Sequence, residues 1–190
     1  DSMSGIGFSQ GPWTASHRVG KLGDPDMLVV GDVFGWGGYG HPLNTHPTRL
    51  TPDEQYTHIS LWSLLGAPLL VGCDMEKLDA FTLGLLTNDE VIDIDQDSLC
   101  KHATCVWKGG EENEFNIYTK ALDDGSIAVG IFNRGPLGNS ITANWSDLGL
   151  ETPQSVRDVW RQKDLGKFPD KFETFVPSHG VVLLKLKPIK

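Results

Sequence analysis

The spacing of apolar residues changes near Gln96-Asp97, and that change restricts the chain to folds made of two unlike parts. Upstream, short apolar segments alternate with helical ones. Met27-Leu28-Val29-Val30 reads as a brief buried strand. Thr51-Pro52-Asp53-Glu54 supplies Thr as N-cap, Pro at the first helical position and Glu three residues on, a capping box. It predicts a helix to about Leu65, with Tyr56, Ile59, Leu61, Trp62 and Leu65 as the inward stripe. Ala67 to Cys73 is apolar nearly throughout, as a parallel strand covered by helices on both faces must be. Thr87-Asn88-Asp89-Glu90 offers a second capping box, leading into Val91, Ile92 and Ile94. These are βα units of a parallel sheet, but two or three of them fall short of the eight that close a barrel.

Downstream of that point the chain breaks into short β-rich runs near 104–107, 115–120, 126–132, 140–144, 155–160, 172–176 and 181–186. Asp123-Asp124-Gly125 and Ser178-His179-Gly180 have the composition of hairpin turns. About seven such strands predict an antiparallel β-sandwich. The expected boundary lies at 97–103, giving an α/β part over 1–98 and an all-β domain over 102–190. The chain contains no internal repeat.

Charge follows the same division. Residues 1–100 carry 14 acids and 4 bases, a net −10, whereas residues 101–190 are nearly neutral at +1. No basic stripe tracks a phosphate backbone, so nucleic acid is not an expected partner. No apolar run approaches the roughly 18 residues of a membrane helix, so a soluble chain without a membrane partner is expected. Residue 1 is Asp and no leader-like segment follows, so the chain reads as excised from a longer one or processed.

Asp24-Pro25-Asp26-Met27 is the sharpest local feature. Pro25 bars Asp24 from the helical region, so the segment is expected to be extended, with Asp24 and Asp26 on one side. Such a pair either caps a turn or presents carboxylates to sugar hydroxyls at the mouth of a parallel sheet. Gly35-Trp36-Gly37-Gly38-Tyr39-Gly40 spells GxGxxG, but His41-Pro42 follows where a dinucleotide site needs a helix. A glycine-rich loop displaying Trp36 and Tyr39 is the better account, its aromatic faces either stacking on sugar rings or, for Trp36, folding back on the core. His17, His41 and His46 match no zinc spacing, and no metal site is expected. Cys73 reads as buried, Cys100 and Cys105 are close enough for a small loop disulfide, and Asp74 reads as an N-cap. Trp107 and Trp145 read as sandwich core, with a non-catalytic carbohydrate-binding module as the alternative. Asn144-Trp145-Ser146 is a formal glycosylation acceptor.

Asp24-Pro25-Asp26-Met27-Leu28-Val29-Val30-Gly31 resembles the W-N-D-P-D-M-L-x-x-G segment of family 27 glycoside hydrolases, the α-galactosidase and α-N-acetylgalactosaminidase group. The likeness continues in order through Leu50 to Tyr56, Leu61 to Leu64, Ala67 to Asp74, Thr87 to Ile92 and Gln96-Asp97. It extends to Asn133-Arg134, Val156 to Trp160, Lys163 to Gly166 and His179 to Leu183. The resemblance implies the last part of a (β/α)8 TIM barrel followed by an antiparallel β-sandwich. It implies retaining hydrolysis of terminal α-galactosides by two Asp residues, with no cofactor and in an extracytoplasmic setting. No Lys-x-Asp nucleophile motif with the family's flanks is present. Asp1-Ser2-Met3 looks like the end of the acid/base stretch, so both catalytic residues are expected upstream of residue 1. Leu22-Gly23 replaces the family's Trp-Asn. Carried over, Asp26 and Met27 line the sugar pocket and Asp24 supports them from behind. Trp36 is read as an outer stacking contact. A piece of barrel also exposes strand edges and an apolar face, so association with the missing part, or with itself, is expected.

Overall fold

The computed structural model describes residues 2–35 and 44–189. The α/β half begins with helix α1 (Met3–Gly7), capped by Ser2, and a 3-10 turn over Gly11–Ser16. A small antiparallel pair follows, β1 (Asp32–Phe34) and β2 (Thr45–Pro47). Helices α2 (Pro52–Leu65), α3 (Ala80–Leu86) and α4 (Asp89–Asp95) complete this half.

Helix α2 starts as its sequence predicts. Thr51 accepts from the Glu54 N–H while Glu54 returns a carboxylate to the Thr51 N–H, and Gly66 ends the helix at φ +61°, a left-handed cap that favours glycine. Its packing exceeds the predicted stripe. Every residue from Thr57 to Leu65 is buried, polar ones included, because other elements surround the helix. The helix expected from the second capping box is capped one residue later, and by a single side chain rather than a capping box. Asn88, rather than Thr87, accepts from the Val91 N–H, and Thr87 ends α3 with its hydroxyl on Leu83 O. Glu90 is drawn away from a capping role by Arg157, which grips both its oxygens at 2.5 and 2.8 Å.

Two expected strands appear in reduced form. Residues 27–30 and 67–73 meet through one parallel bridge, Leu28 to Val71, with Leu28 N–H on Leu70 O and Gly72 N–H on Leu28 O. Leu28 and Val30 are buried, but Leu70 and Val71 are 50% and 43% exposed. One face of this parallel pair is therefore uncovered in the described chain.

The all-β half contains β3 (Thr104–Gly109), β4 (Phe115–Ala121), β5 (Ile127–Asn133), β6 (Asn139–Asn144), β7 (Gln154–Asp158), β8 (Lys163–Phe168), β9 (Lys171–Val176) and β10 (Val181–Pro188). One antiparallel sheet has the order β3-β4-β5-β10-β7-β8, and β6 pairs with β9 in a second. The seven predicted strands are all present. The eighth, β8, carries Lys163, Asp164 and Lys167 on an exposed edge and lacks the apolar alternation of a half-buried strand. Asp123-Asp124-Gly125 does turn a hairpin, between β4 and β5. Ser178-His179-Gly180 instead carries the chain from the small sheet to the large one.

The central strands of the large sheet, β4, β5 and β10, are buried on both faces. Ile117, Val129, Ile131, Leu184 and Leu186 pack with Ile141, Trp145 and Phe172 inside the sandwich. Tyr118, Ala128, Phe132 and Leu183 pack on the other side with Ile59, Leu61, Trp62 and Leu64 of α2. Helix α2 of the α/β half and the β-sandwich thus pack on opposite faces of one sheet, a common wall.

Candidate functional site

The Asp24–Met27 segment is a turn built almost wholly from its own carboxylates. Asp24 Oδ1 accepts from the Asp26 N–H at 2.9 Å, and Asp26 Oδ1 accepts from the Met27 N–H at 2.8 Å. Asp26 sits at φ +80°, in the left-handed region that side chains other than glycine rarely adopt. The expectation of an extended segment with both carboxylates on one side is overturned at this residue. Positive φ redirects the chain, and Asp24 spends its carboxylate on the backbone of Asp26. Both Asp26 and Met27 remain exposed.

Helix α2 holds this turn and the residues after it. Trp62 Nε1–H donates to the Asp26 carbonyl at 2.8 Å. One turn earlier, His58 Nε2 accepts from the Val29 N–H at 3.0 Å, and Gln55 Oε1 accepts from the Gly31 N–H at 3.3 Å. The spacing i, i+3, i+7 places the three side chains on one helix face. All three are buried, and together they satisfy polar backbone groups along residues 26–31 where no strand pairs with them. Because Nε2 accepts from a backbone N–H, His58 is neutral there, and burial lowers its pKa to about 4. This face was missed in the sequence reading, which took Trp62 as core alone.

Met27 lies across Gly72. A Cβ at Gly72 would come 2.6 Å from Met27 Sδ and 2.7 Å from the Leu28 carbonyl, so only glycine allows this approach. Beyond Gly72, Asp74 caps the 3-10 turn Met75–Lys77 as predicted, accepting from the Glu76 N–H. Lys77 Nζ bridges Asp32 and Asp74 at 3.3 and 3.5 Å. A Thr45 hydrogen bond, and then Lys77, hold the Asp32 carboxyl below its ordinary pKa. Gly31, Asp32, Gln55 and Lys77 line a cleft of about 370 Å³.

Trp36, Tyr39 and His41 lie outside the described residues. His17 does not approach a metal-like cluster; its ring meets His102 edge to face, 5.3 Å between centroids. Among the described residues no group of three or more His, Cys, Asp or Glu side chains could hold a metal, and all three cysteines are free thiols. Trp145 is buried with its Nε1–H on Phe168 O, and Trp107 packs against the sandwich interior, as the core reading has it. A further cleft of about 490 Å³ lies between α4 and the outer strands. Its lining includes Arg157, whose guanidinium is already paired with Glu90 and Asp164.

Comparison with known proteins agrees with this architecture. A family model described as "Alpha galactosidase A" matches residues 8–97, and one described as "Alpha galactosidase C-terminal beta sandwich domain" matches residues 112–186. The Dictyostelium discoideum protein named "Probable alpha-galactosidase" is 36% identical over 99% of this chain and 46% of its own length. The structure of a GH27 β-L-arabinopyranosidase from Geobacillus stearothermophilus, in complex with arabinose, superposes with a TM-score of 0.88. It is 29% identical, over 99% of this chain and 42% of that one. α-Galactosidase I from Mortierella vinacea gives a TM-score of 0.83 at 28% identity, over 98% and 45%. These matches define the class, glycosidases with a C-terminal β-sandwich. Within that class the chain belongs to glycoside hydrolase family 27, the α-galactosidase family. It spans less than half the length of curated relatives such as the Dictyostelium protein.

Proposed function

We propose that this chain forms part of a retaining α-galactosidase, and that Asp26 and Met27 supply one wall of its sugar pocket. The observation that carries the reading is the turn itself. A left-handed Asp26 is held by Asp24 in front and Trp62 beneath, in a chain 36% identical to a relative named for this activity. Such a residue, kept at positive φ by hydrogen bonds on both sides and left exposed, is of the kind found where backbone geometry presents a side chain to a ligand. Asp26 accepts hydrogen bonds from sugar hydroxyls, Met27 lays its thioether against the ring, and Asp24 supports both. The nucleophile and acid/base carboxylates, about 5–5.5 Å apart in a retaining enzyme, come from sequence upstream of residue 1. Residues 1–98 form the barrel portion and 102–190 the sandwich, which buttresses it. The enzyme works outside the cytoplasm, an expectation resting on the family.

A second reading concerns the sugar. The similarity to a β-L-arabinopyranosidase favours weighing that substrate, because β-L-arabinopyranose has the ring of α-D-galactopyranose without its C6 hydroxymethyl. An α-N-acetylgalactosaminide differs at C2 instead. Assays of the full-length protein containing this chain, using nitrophenyl glycosides of all three sugars, decide among them. The α-galactoside is expected to have the highest kcat/KM, and this chain alone is expected to turn over none. Preference for either other sugar would overturn the substrate assignment. Turnover by the lone chain, lost in Asp26→Asn, would make Asp26 catalytic.

A further inference from the structure

We infer that Trp62, with His58 and Gln55 behind it, is a positioning residue for the sugar-binding turn: one buried face of α2 sets where Asp26 and Met27 stand. The inference rests on the reading of that turn as part of the pocket. Asp26 stands at φ +80°, a region that Asp tolerates better than most residues yet seldom adopts, and a contact from outside the turn helps to hold it there. Asp24 fixes only the Asp26 N–H. The Asp26 carbonyl, whose direction sets how the chain leaves the turn, is fixed by the Trp62 indole. Three residues on, Val29 N–H is fixed by His58, and two further, Gly31 N–H by Gln55. Met27 lies between the first two contacts, so its side chain is aimed by hydrogen bonds on either side of it. None of the three α2 side chains needs to touch the sugar to do this.

The full-length protein carries the test, read as KM and kcat for an α-galactoside and as the Kd for free D-galactose. Trp62→Phe keeps an aromatic ring in the core and removes the indole donor. The expected result is a KM and a galactose Kd each raised about tenfold, with kcat changed much less, because contacts to bound sugar are lost in ground and transition state alike. Should that variant not fold, His58→Leu and His58→Gln replace it. The Gln variant restores an acceptor for Val29 N–H and is expected to regain most of the affinity that the Leu variant loses. Asp26→Asn is measured alongside. A raised KM in Asp26→Asn with unchanged KM in the α2 variants would overturn the positioning role. An unchanged KM in Asp26→Asn would overturn the pocket reading itself, and the inference with it.

Discussion

At the scale of single residues, the turn and its floor depend on a few close approaches. Gly72 is the clearest, because a methyl there would strike the Leu28 carbonyl, which is backbone and cannot swing aside. Gly72→Ala is expected to cost about 1–3 kcal/mol, the range of overpacking in a tight site. It should also displace Met27. Urea denaturation of the variant checks the first effect and galactose affinity the second. The residue-level pattern was only partly legible in the sequence. Asp-Pro-Asp announced a turn or a site, and the structure makes it a turn whose second Asp stays exposed. The left-handed φ of Asp26 could not be read locally, because one of the contacts on that residue comes from Trp62, thirty-six positions away.

Among elements, the junction between the two halves centres on Lys120. This lysine of β4 is buried, and its ammonium donates to Ser63 O at 3.0 Å and Ile94 O at 2.5 Å. Those carbonyls belong to the last turns of α2 and α4, where a cation is favoured by the helix dipole; Ser63 O also accepts the Gly66 N–H of the cap. Lys120→Met fills similar space but strands the Ile94 carbonyl and takes one of two donors from Ser63 O, and should lower stability by about 1–3 kcal/mol in chemical denaturation. No local pattern reveals such a residue, since Phe115 to Ala121 shows only a lysine in a strand. The strands whose apolar residues face a core were legible; β8, a charged edge, was not. The displaced cap of α4 has a similar cause. Glu90 follows Thr87 at capping-box spacing, yet Arg157 on β7 claims its carboxylate.

For the whole molecule, a buried histidine and a half-buried aspartate give stability opposite dependences on pH. His58 is neutral when folded, with its pKa lowered from 6.5 to about 4 by burial, so the unfolded chain binds the extra proton first. Its stabilisation is full above about pH 6.5 and is lost as pH falls toward 4, roughly 3 kcal/mol in all. Burial raises Asp95 from 3.8 to about 7, with Lys120 opposing, so the folded chain holds that proton longer and loses stability as pH rises through this window. His58→Gln should therefore flatten the acid-side loss in urea midpoints measured between pH 4.5 and 7, and Asp95→Asn should steepen it. On the same scale, Leu70, Val71 and Met75 form part of an exposed apolar face beside the lone parallel bridge. The isolated chain is expected to self-associate over it, and a concentration-independent monomer in size exclusion would contradict that. The division into two patterns was legible from the sequence alone. That both halves would share one sheet was not, because β4, β5 and β10 show apolar residues on two faces without saying what covers the second.

The most direct test of the account is a crystal structure of the full-length protein with D-galactose bound. The account predicts a hydrogen bond of about 2.7–3.0 Å between a sugar hydroxyl and the Asp26 carboxylate, with Met27 against the ring. Galactose seated in the barrel with Asp26 and Met27 out of contact would contradict it.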